Sequence, residues 1–143
     1  LSERGVPTVP HILVGLDYGR LSGELEAIQM AADRNPAAIV VIVLSPLRRT
    51  PMAKVRPPAP DVVGRILTVA RLGLQDTPIL LGCARPKGDH KAKCDVLAVR
   101  CGVNGIAYIS QVGVMTARAI GLVPHFMDVC CSLAPLHVLR QDA

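Results

Sequence analysis

Residues 38–44 read Ala-Ile-Val-Val-Ile-Val-Leu, an uninterrupted aliphatic run with Asn35 and Pro36 before it and Ser45 and Pro46 after it. A strand of this kind is apolar on both faces, so both faces must be covered, as in a parallel sheet packed by helices. Hydrophobic residues make up 50% of the chain but aromatic residues only 2%, so we expect a core of Val, Ile, Leu and Ala. The run therefore predicts an α/β domain with a parallel sheet.

The same order of apolar strand, polar turn and helix occurs four times along the chain. Predicted strands lie at 9–16, 38–44, 79–81 and 105–109, and predicted helices lie at about 22–33, from 61, at 89–100 and from 110. Asp61, Asp89 and Ser110 stand where N-terminal helix caps belong, since their side-chain oxygens can accept from free backbone N–H groups. The apolar stripe of the second helix is predicted to be Val62, Ile66, Val69 and Leu72.

Four consecutive strand–helix units predict a parallel sheet with right-handed crossovers. The 143 residues suit a single domain at 1–143, with an irregular C-terminal tail at 124–143. A closed (β/α)8 barrel takes about 250 residues. We therefore expect either a small open α/β domain or an architecture that resembles the second half of a TIM-type barrel.

Composition excludes several classes of partner. The net charge of +5 is the difference between 16 basic and 11 acidic residues, and the basic residues are scattered rather than gathered in a tail. Two tyrosines and one phenylalanine offer few platforms for stacking bases, so no nucleic-acid partner is expected. No apolar run approaches the ~20 residues that span a bilayer, so no membrane partner is expected.

The five cysteines are irregularly spaced and form no C-x-x-C pair, which argues against a disulfide framework or a zinc ribbon. With no signal-peptide core at its start, the chain is expected in the cytoplasm.

The most unusual segment, Gly-Cys-Ala-Arg-Pro-Lys-Gly-Asp-His at 82–90, follows the third predicted strand. Ligands of parallel α/β proteins collect at the carboxyl ends of strands. Cys83 and Arg85 would project to the same face of a strand, and the guanidinium would favour a thiolate, which can bind soft metals or iron–sulfur clusters. Alternatively, Cys83 is a small buried hydrophobe and Arg85 a surface charge. Cys130 and Cys131 could complete a metal site with Cys83 or be inert.

Two segments in the first half of the chain resemble the biotin synthase-like branch of the radical SAM superfamily, in the C-terminal half of its barrel. His11-Ile-Leu-Val-Gly15-Leu, with Gly23-Glu24 after it, is similar to the fifth strand and its G-x-I-x-G-x-x-E pattern, with His11 in place of the first glycine. The second strand with Pro46-Leu47-Arg48-Arg49-Thr50-Pro51 is similar to the sixth strand and its P-x-x-G-T-P turn, with Arg49 in place of glycine.

Two later segments extend the resemblance over about residues 6–119. Leu80-Leu-Gly-Cys-Ala-Arg85 resembles the seventh strand, L-S-A-G-R-E in biotin synthase, and Gly102-Val-Asn104-Gly-Ile-Ala-Tyr108 resembles the eighth, A-G-A-N-S-I-F-Y-G. The Gly-Cys-Ala-Arg-Pro turn and the Cys-Cys-Ser-Leu at 130–133 look more like the archaeal-type two-component lipoyl synthases.

The resemblance implies a sulfur-insertion enzyme that uses S-adenosylmethionine and iron–sulfur clusters. In the family, a 5′-deoxyadenosyl radical abstracts hydrogen from an unactivated carbon, and sulfur comes from an auxiliary cluster. The arginines at 48 and 49 would meet carboxylate or phosphate groups. By the same resemblance, the residues on the cofactor side would be Val14, Gly15, Glu24, Ile42, Leu44, Arg48 and Arg49. The candidate ligands of the auxiliary cluster would be Cys83, Arg85, Cys130 and Cys131.

The family holds its catalytic cluster with C-x-x-x-C-x-x-C, and this chain has no such motif. We therefore expect a fragment or an upstream truncation that does not cleave S-adenosylmethionine alone. Its partner would be the missing N-terminal barrel half or a partner subunit, and open sheet edges could also form a homo-oligomer. The alternative is a non-enzymatic α/β binding or subunit domain that a partner chain completes. A sugar-phosphate enzyme would need a lysine or paired carboxylates at the strand ends, where Asp17 stands alone.

Overall fold

The computed structural model describes residues 4–135 and consists of alternating strands and helices. The elements, in chain order, are β1 (His11–Val14), α1 (Glu24–Ala32), β2 (Ile39–Val43), α2 (Pro60–Gly73), β3 (Ile79–Leu81), α3 (Asp89–Arg100), β4 (Gly105–Ile106) and α4 (Gln111–Ala119). All pairings are parallel and the strand order is β1-β2-β3-β4. The predicted α/β class with four consecutive β–α units is confirmed, and the order is that of half a TIM-type barrel.

One face of the sheet is packed by the helices. When sequential parallel strands are joined by right-handed crossovers, all the helices lie on the same face. The helix-side core joins alternate residues of the strands to inward residues of α1, α2 and α3, and its buried members are Ile12, Val14, Ile28, Ile39, Val41, Val43, Val63, Ile66, Leu67, Ala70, Ile79, Leu81, Cys94 and Ala98. None of the helices between residues 4 and 135 is both long and apolar enough to cross a bilayer.

The second face of the sheet carries the side chains that alternate with this core, among them Val40, Ile42 and Leu80. It is packed by residues 129–134, here called the C-terminal segment, through Val129, Cys131 and Ala134. From 124 onwards the chain runs through bends and turns and enters a helical turn at 134. The remainder of the predicted irregular tail, 136–143, lies outside the described residues.

Two of the three predicted helix caps are wrong. α2 begins one residue earlier, at Pro60, and α3 begins at Asp89 itself, so Asp61 and Asp89 lie in first turns and neither of these helices has a side-chain cap. Proline suits the first helical position because its missing N–H would have no intrahelical partner there. The third prediction is confirmed, since the Ser110 hydroxyl accepts from the Gly113 N–H at 3.3 Å.

The buried face of α2 also differs from the predicted stripe. Its inward residues are Val63, Ile66, Leu67 and Ala70, whereas Val69 and Leu72 are exposed. Both sets have helical spacing, so periodicity alone did not decide which one faces the sheet.

An arginine ties together the amino ends of β3 and β4. The guanidinium of Arg71, near the end of α2, donates to the Asn104 side-chain oxygen at 2.9 Å and to the Thr77 carbonyl at 2.7 Å. The same Asn104 oxygen accepts from the Ile79 N–H at 3.0 Å. The α2–β3 connection and the start of β4 are therefore held by one side chain.

Candidate functional site

The turn after β1 is closed by a buried carboxylate. Glu24, at the start of α1, accepts from the Gly15 N–H at 2.8 Å and from the Ser22 N–H at 2.6 Å. Gly15 has a φ of 86° and lies against the Pro58 ring, which leaves no room for a Cβ. The Glu24 side chain therefore holds the predicted cofactor-side turn by bonding to backbone N–H groups of that turn, and both carboxylate oxygens are engaged.

The predicted cofactor-side strand residues divide between the two faces of the sheet. Val14 is fully buried in the helix-side core, so its side chain points away from the second face. Ile42 packs against the cluster on the second face, and Leu44 is buried at the end of the strand. The structure therefore brings Ile42 to the face that would line a barrel interior and does not bring Val14 there, because adjacent residues of a strand point in opposite directions.

The turn after β2 places Arg48 and Arg49 in solvent. Arg49 has a φ of 65°, a left-handed conformation that glycine adopts more readily than other residues. Glycine is the residue that the resembling P-x-x-G-T-P turn carries at this position. The Thr50 hydroxyl closes the turn by donating to the Leu47 carbonyl at 2.8 Å.

Arg85 is buried in an ion pair with Asp95, a residue on the inward face of α3. Its Nε and Nη2 donate to Asp95 Oδ1 at 3.1 and 2.9 Å, and the two side chains are 1% and 0% exposed. Arg85 also donates to the backbone carbonyls of Gly82 and Ala107, the latter at 2.6 Å. Arg85 is thus neither a surface charge nor free to meet a ligand, and its counter-charge is Asp95.

Asp95 joins several elements of the fold, and it was not among the residues predicted from the sequence. Its second oxygen, Oδ2, accepts from Lys91 Nζ at 2.9 Å and from the Ser110 N–H at 2.6 Å. One carboxylate therefore joins the end of β3, helix α3 and the start of α4, and Arg85 extends the network to the end of β4. The sequence does contain a signal for this role, since Asp95 stands next to Cys94 on the inward face of the predicted third helix. A carboxylate buried there requires a charged or hydrogen-bonding partner.

Three cysteines lie around the end of β3 and the second face. Cys83 and Cys130 are exposed, and Cys131 is partly buried against the second-face cluster. Hydrogen bonds from the backbone and hydroxyl of Ser132 lower the pKa of Cys130, whose sulfur is 3.7 Å from the Ser132 oxygen. Burial, followed by the proximity of the Cys130 thiol, raises the pKa of Cys131, which also interacts with both the backbone N–H and the thiol of Cys83.

An auxiliary iron–sulfur cluster does not fit these residues as they are arranged. Thiolates are suitable ligands for such a cluster, but in residues 4–135 no three Cys, His, Asp or Glu side chains form a group that could hold a metal ion. Arg85 has its donors committed to Asp95 and to two carbonyls. The expected ligand set of Cys83, Arg85, Cys130 and Cys131 is therefore not assembled within the described chain.

The two remaining cysteines belong to the helix-side core. Burial raises the pKa of Cys94 to about 11, and its sulfur is 3.5 Å from His90 Nδ1. Cys101 packs at the end of α3, with its sulfur 3.1 Å from the Thr68 hydroxyl. These contacts fit a packing role for both.

No protein-family model, no curated protein and no solved structure matches this chain. The resemblance to radical SAM enzymes therefore stays a prediction that rests on the four sequence segments.

Proposed function

We propose that this chain is the C-terminal half of a radical SAM enzyme of the biotin and lipoyl synthase type, in which the sulfur donor for C–S bond formation is supplied by a part of the enzyme other than residues 4–135. The observation that carries the proposal is the sheet itself: four parallel strands in chain order, with a helix after each strand. The four segments that resemble the family occupy these strands in the family's order. The left-handed Arg49, where the family has glycine, adds support.

In this proposal the chain forms one wall of the S-adenosylmethionine site. Gly15 is buried against the Pro58 ring and its N–H is engaged by Glu24, so in this proposal it shapes the turn beside the cofactor and does not touch the cofactor itself. Ile42 is partly buried on the second face, where the C-terminal segment also packs, and its uncovered part supplies apolar surface. The exposed guanidiniums of Arg48 and Arg49 pair with the carboxylate of the cofactor, since arginine matches carboxylate geometry. Arg85 has no place in this site, and no auxiliary cluster is assigned to the described residues.

The proposed partner is the N-terminal barrel half, either in the same polypeptide or in a partner subunit. Within residues 4–135, β1 and β4 each have only one neighbouring strand, and an unpaired edge is a template for further pairing. Beside β4, α4 exposes Val112 and Met115, and Tyr108 is 82% exposed. A partner that supplies strands to both edges would cover these apolar side chains.

A second candidate function is a non-enzymatic domain that a partner chain completes. The observation that favours it is the commitment of Arg85 to Asp95, together with the lack of a metal-holding group among the described residues. The two candidates share the open edges and differ in whether S-adenosylmethionine binds.

The first test is the reading frame upstream of residue 1, where the enzyme proposal expects an in-frame C-x-x-x-C-x-x-C. The product of that whole frame, purified without oxygen, is then titrated with S-adenosylmethionine by calorimetry. The double variant Arg48→Ala/Arg49→Ala should weaken binding about tenfold or more, because it removes charge-assisted hydrogen bonds. The matched control Arg100→Ala/Arg118→Ala removes two exposed arginines from the last turns of α3 and α4 and should leave affinity unchanged.

Absence of the upstream motif, together with no saturable binding of S-adenosylmethionine, would overturn the enzyme proposal and leave the binding domain. Equal affinity in the Arg48/Arg49 and Arg100/Arg118 double variants would remove the two loop arginines from the site. A closed assembly of two copies, seen by light scattering, would replace the N-terminal half with a second copy as the partner.

A further inference from the structure

The C-terminal segment lies across the second face of the sheet. Cys131 and Ala134 pack with Val40 and Leu80, which belong to the two central strands. The Ser132 hydroxyl lies 3.5 Å from Nε2 of His11, at the start of β1. Residues 129–134 therefore cross from the end of β3 towards the beginning of β1 and cover side chains that would otherwise meet solvent.

Cys131 and Cys83 meet where this segment reaches the end of β3. Cys131 packs in the cluster that contains Leu80, and Cys83 follows Leu80 by three residues. The backbone N–H of Cys83 interacts with the sulfur of Cys131, and the two thiols interact electrostatically. Cys83 is exposed, so a small oxidant can reach it.

We propose that Cys83 and Cys131 form a reversible disulfide that fastens the C-terminal segment across the second face. The oxidant is a low-molecular-weight disulfide such as oxidised glutathione. The Cys83 thiolate attacks one sulfur of the oxidant and releases one glutathione thiolate. The Cys131 thiolate then attacks the mixed disulfide, forms the Cys83–Cys131 bond and releases the second glutathione. Two protein thiols are oxidised to one disulfide, oxidised glutathione is reduced to two molecules of glutathione, and the two thiol protons pass to the released glutathione thiolates.

Geometry selects this pair from the five cysteines. Cys94 is fully buried, and Cys101 packs in the helix-side core. A bond between the adjacent Cys130 and Cys131 would be strained, because the Cα atoms of consecutive residues lie closer together than the two Cα atoms of an unstrained disulfide. Between these two, only Cys131 is seated on the second face. The inference is independent of the proposed function, since it uses only contacts within this chain.

The test is non-reducing peptide mapping of the whole chain after anaerobic incubation with oxidised glutathione. Trypsin separates the cysteines onto peptides 72–87 for Cys83, 94–100 for Cys94, 101–118 for Cys101 and 119–140 for the adjacent pair. We expect peptides 72–87 and 119–140 to be joined. Fragment ions between Cys130 and Cys131 should assign the bond to Cys131 in the unaltered protein, so the assignment does not depend on a variant that folds.

Variants and proteolysis complete the test. Cys131→Ser should abolish the joined peptide, whereas Cys130→Ser and the control Cys94→Ser/Cys101→Ser should keep it. Cleavage by chymotrypsin at Leu133, which is 50% exposed, should slow about threefold or more in the oxidised protein, since cleavage follows local opening. A bond that maps to Cys130, or glutathione adducts without joined peptides, would overturn the proposal. Unchanged cleavage at Leu133 would overturn the fastening of the segment.

Discussion

Replacement of Asp95 by asparagine should destabilise the fold severely, although it only exchanges one carboxylate oxygen for an NH2 group. The carboxylate is 0% exposed and accepts four hydrogen bonds, two from Arg85, one from Lys91 and one from the Ser110 N–H. In Asp95→Asn, the amide nitrogen takes the place of one oxygen and faces two of these donors, and the buried Arg85 loses its counter-charge. Breaking a buried pair from one side costs about 3–5 kcal/mol. A domain of this size is stable by about 5–15 kcal/mol, so roughly a fifth or more of its stability should be lost.

Urea unfolding followed by circular dichroism measures the effect as a fall in the midpoint at constant slope. The control is Asp17→Asn, which neutralises the exposed pair with Arg20 at 3.5 Å and should cost no more than about 1 kcal/mol. Arg85→Met should resemble Asp95→Asn, and the double variant should cost about as much as either single variant, because the partners act as a unit. A loss from Asp95→Asn no larger than that from Asp17→Asn would refute the network.

Three further outcomes follow from the packing. Glu24→Gln should lower the free energy of unfolding by about 1–3 kcal/mol in urea, because an amide nitrogen then opposes a buried N–H donor. Glu26→Gln, on the exposed side of α1, should leave the free energy of unfolding unchanged, and equal losses in the two variants would contradict the role of Glu24. Gly82→Ala should lower stability by about 1–3 kcal/mol in thermal unfolding, since its Cβ would lie within 2.7 Å of two side chains. In the control Gly73→Ala, the new Cβ has no atom within 4 Å, so the melting temperature should not change. Because burial raises the pKa of Cys94 from 9.0 to about 11, its stabilising contribution is complete below pH 9 and declines by about 2–3 kcal/mol as the pH rises to 11; Cys94→Ala should flatten this slope, and parallel pH curves would argue against it.

The fold could be predicted because the sequence of β2 and its flanks, an aliphatic run at 38–44, is itself typical of a buried parallel strand. A run of seven aliphatic residues is typical of a strand covered on both faces, and the fourfold repetition of strand and helix favours a parallel sheet. Local signals such as the Ser110 cap were also sufficient, since they act within one turn of helix. The caps assigned to Asp61 and Asp89 failed because a preceding proline and a preceding glycine each start a helix as well as a side-chain cap does.

The packing of α2 shows what a pattern alone does not decide. Its sequence contains two overlapping apolar stripes, one through Val62 and Val69 and the other through Val63 and Ala70. The choice between them depends on how the helix lies on the sheet, which brings Val63, Leu67 and Ala70 inward. Smaller residues such as Ala70 allow close approach, so the less hydrophobic stripe is the one that is buried.

The positions of the candidate residues after strands were predictable from the sequence, but the partners of their side chains were not. The loops at the carboxyl ends of the strands do carry Gly15, Arg49 and Cys83, as parallel topology requires. The partner of Arg85 lies ten residues away on α3, and only the packing of that helix against β3 brings Asp95 to it. The side chain of Val14, in contrast, could have been assigned to the helix side from the alternation of β1 alone.

The short strand β3 is held at both ends by arginines, Arg71 below and Arg85 above, each of which reaches the neighbouring strand or its loop. Sub-global opening of this region must therefore break two multivalent ties at once. The amides of Ile79 and Leu81 should exchange with deuterium only through global unfolding, more slowly than those of β1, which has a neighbouring strand on one side only. The three-residue strand is thus the centre of the cooperative unit, despite its length.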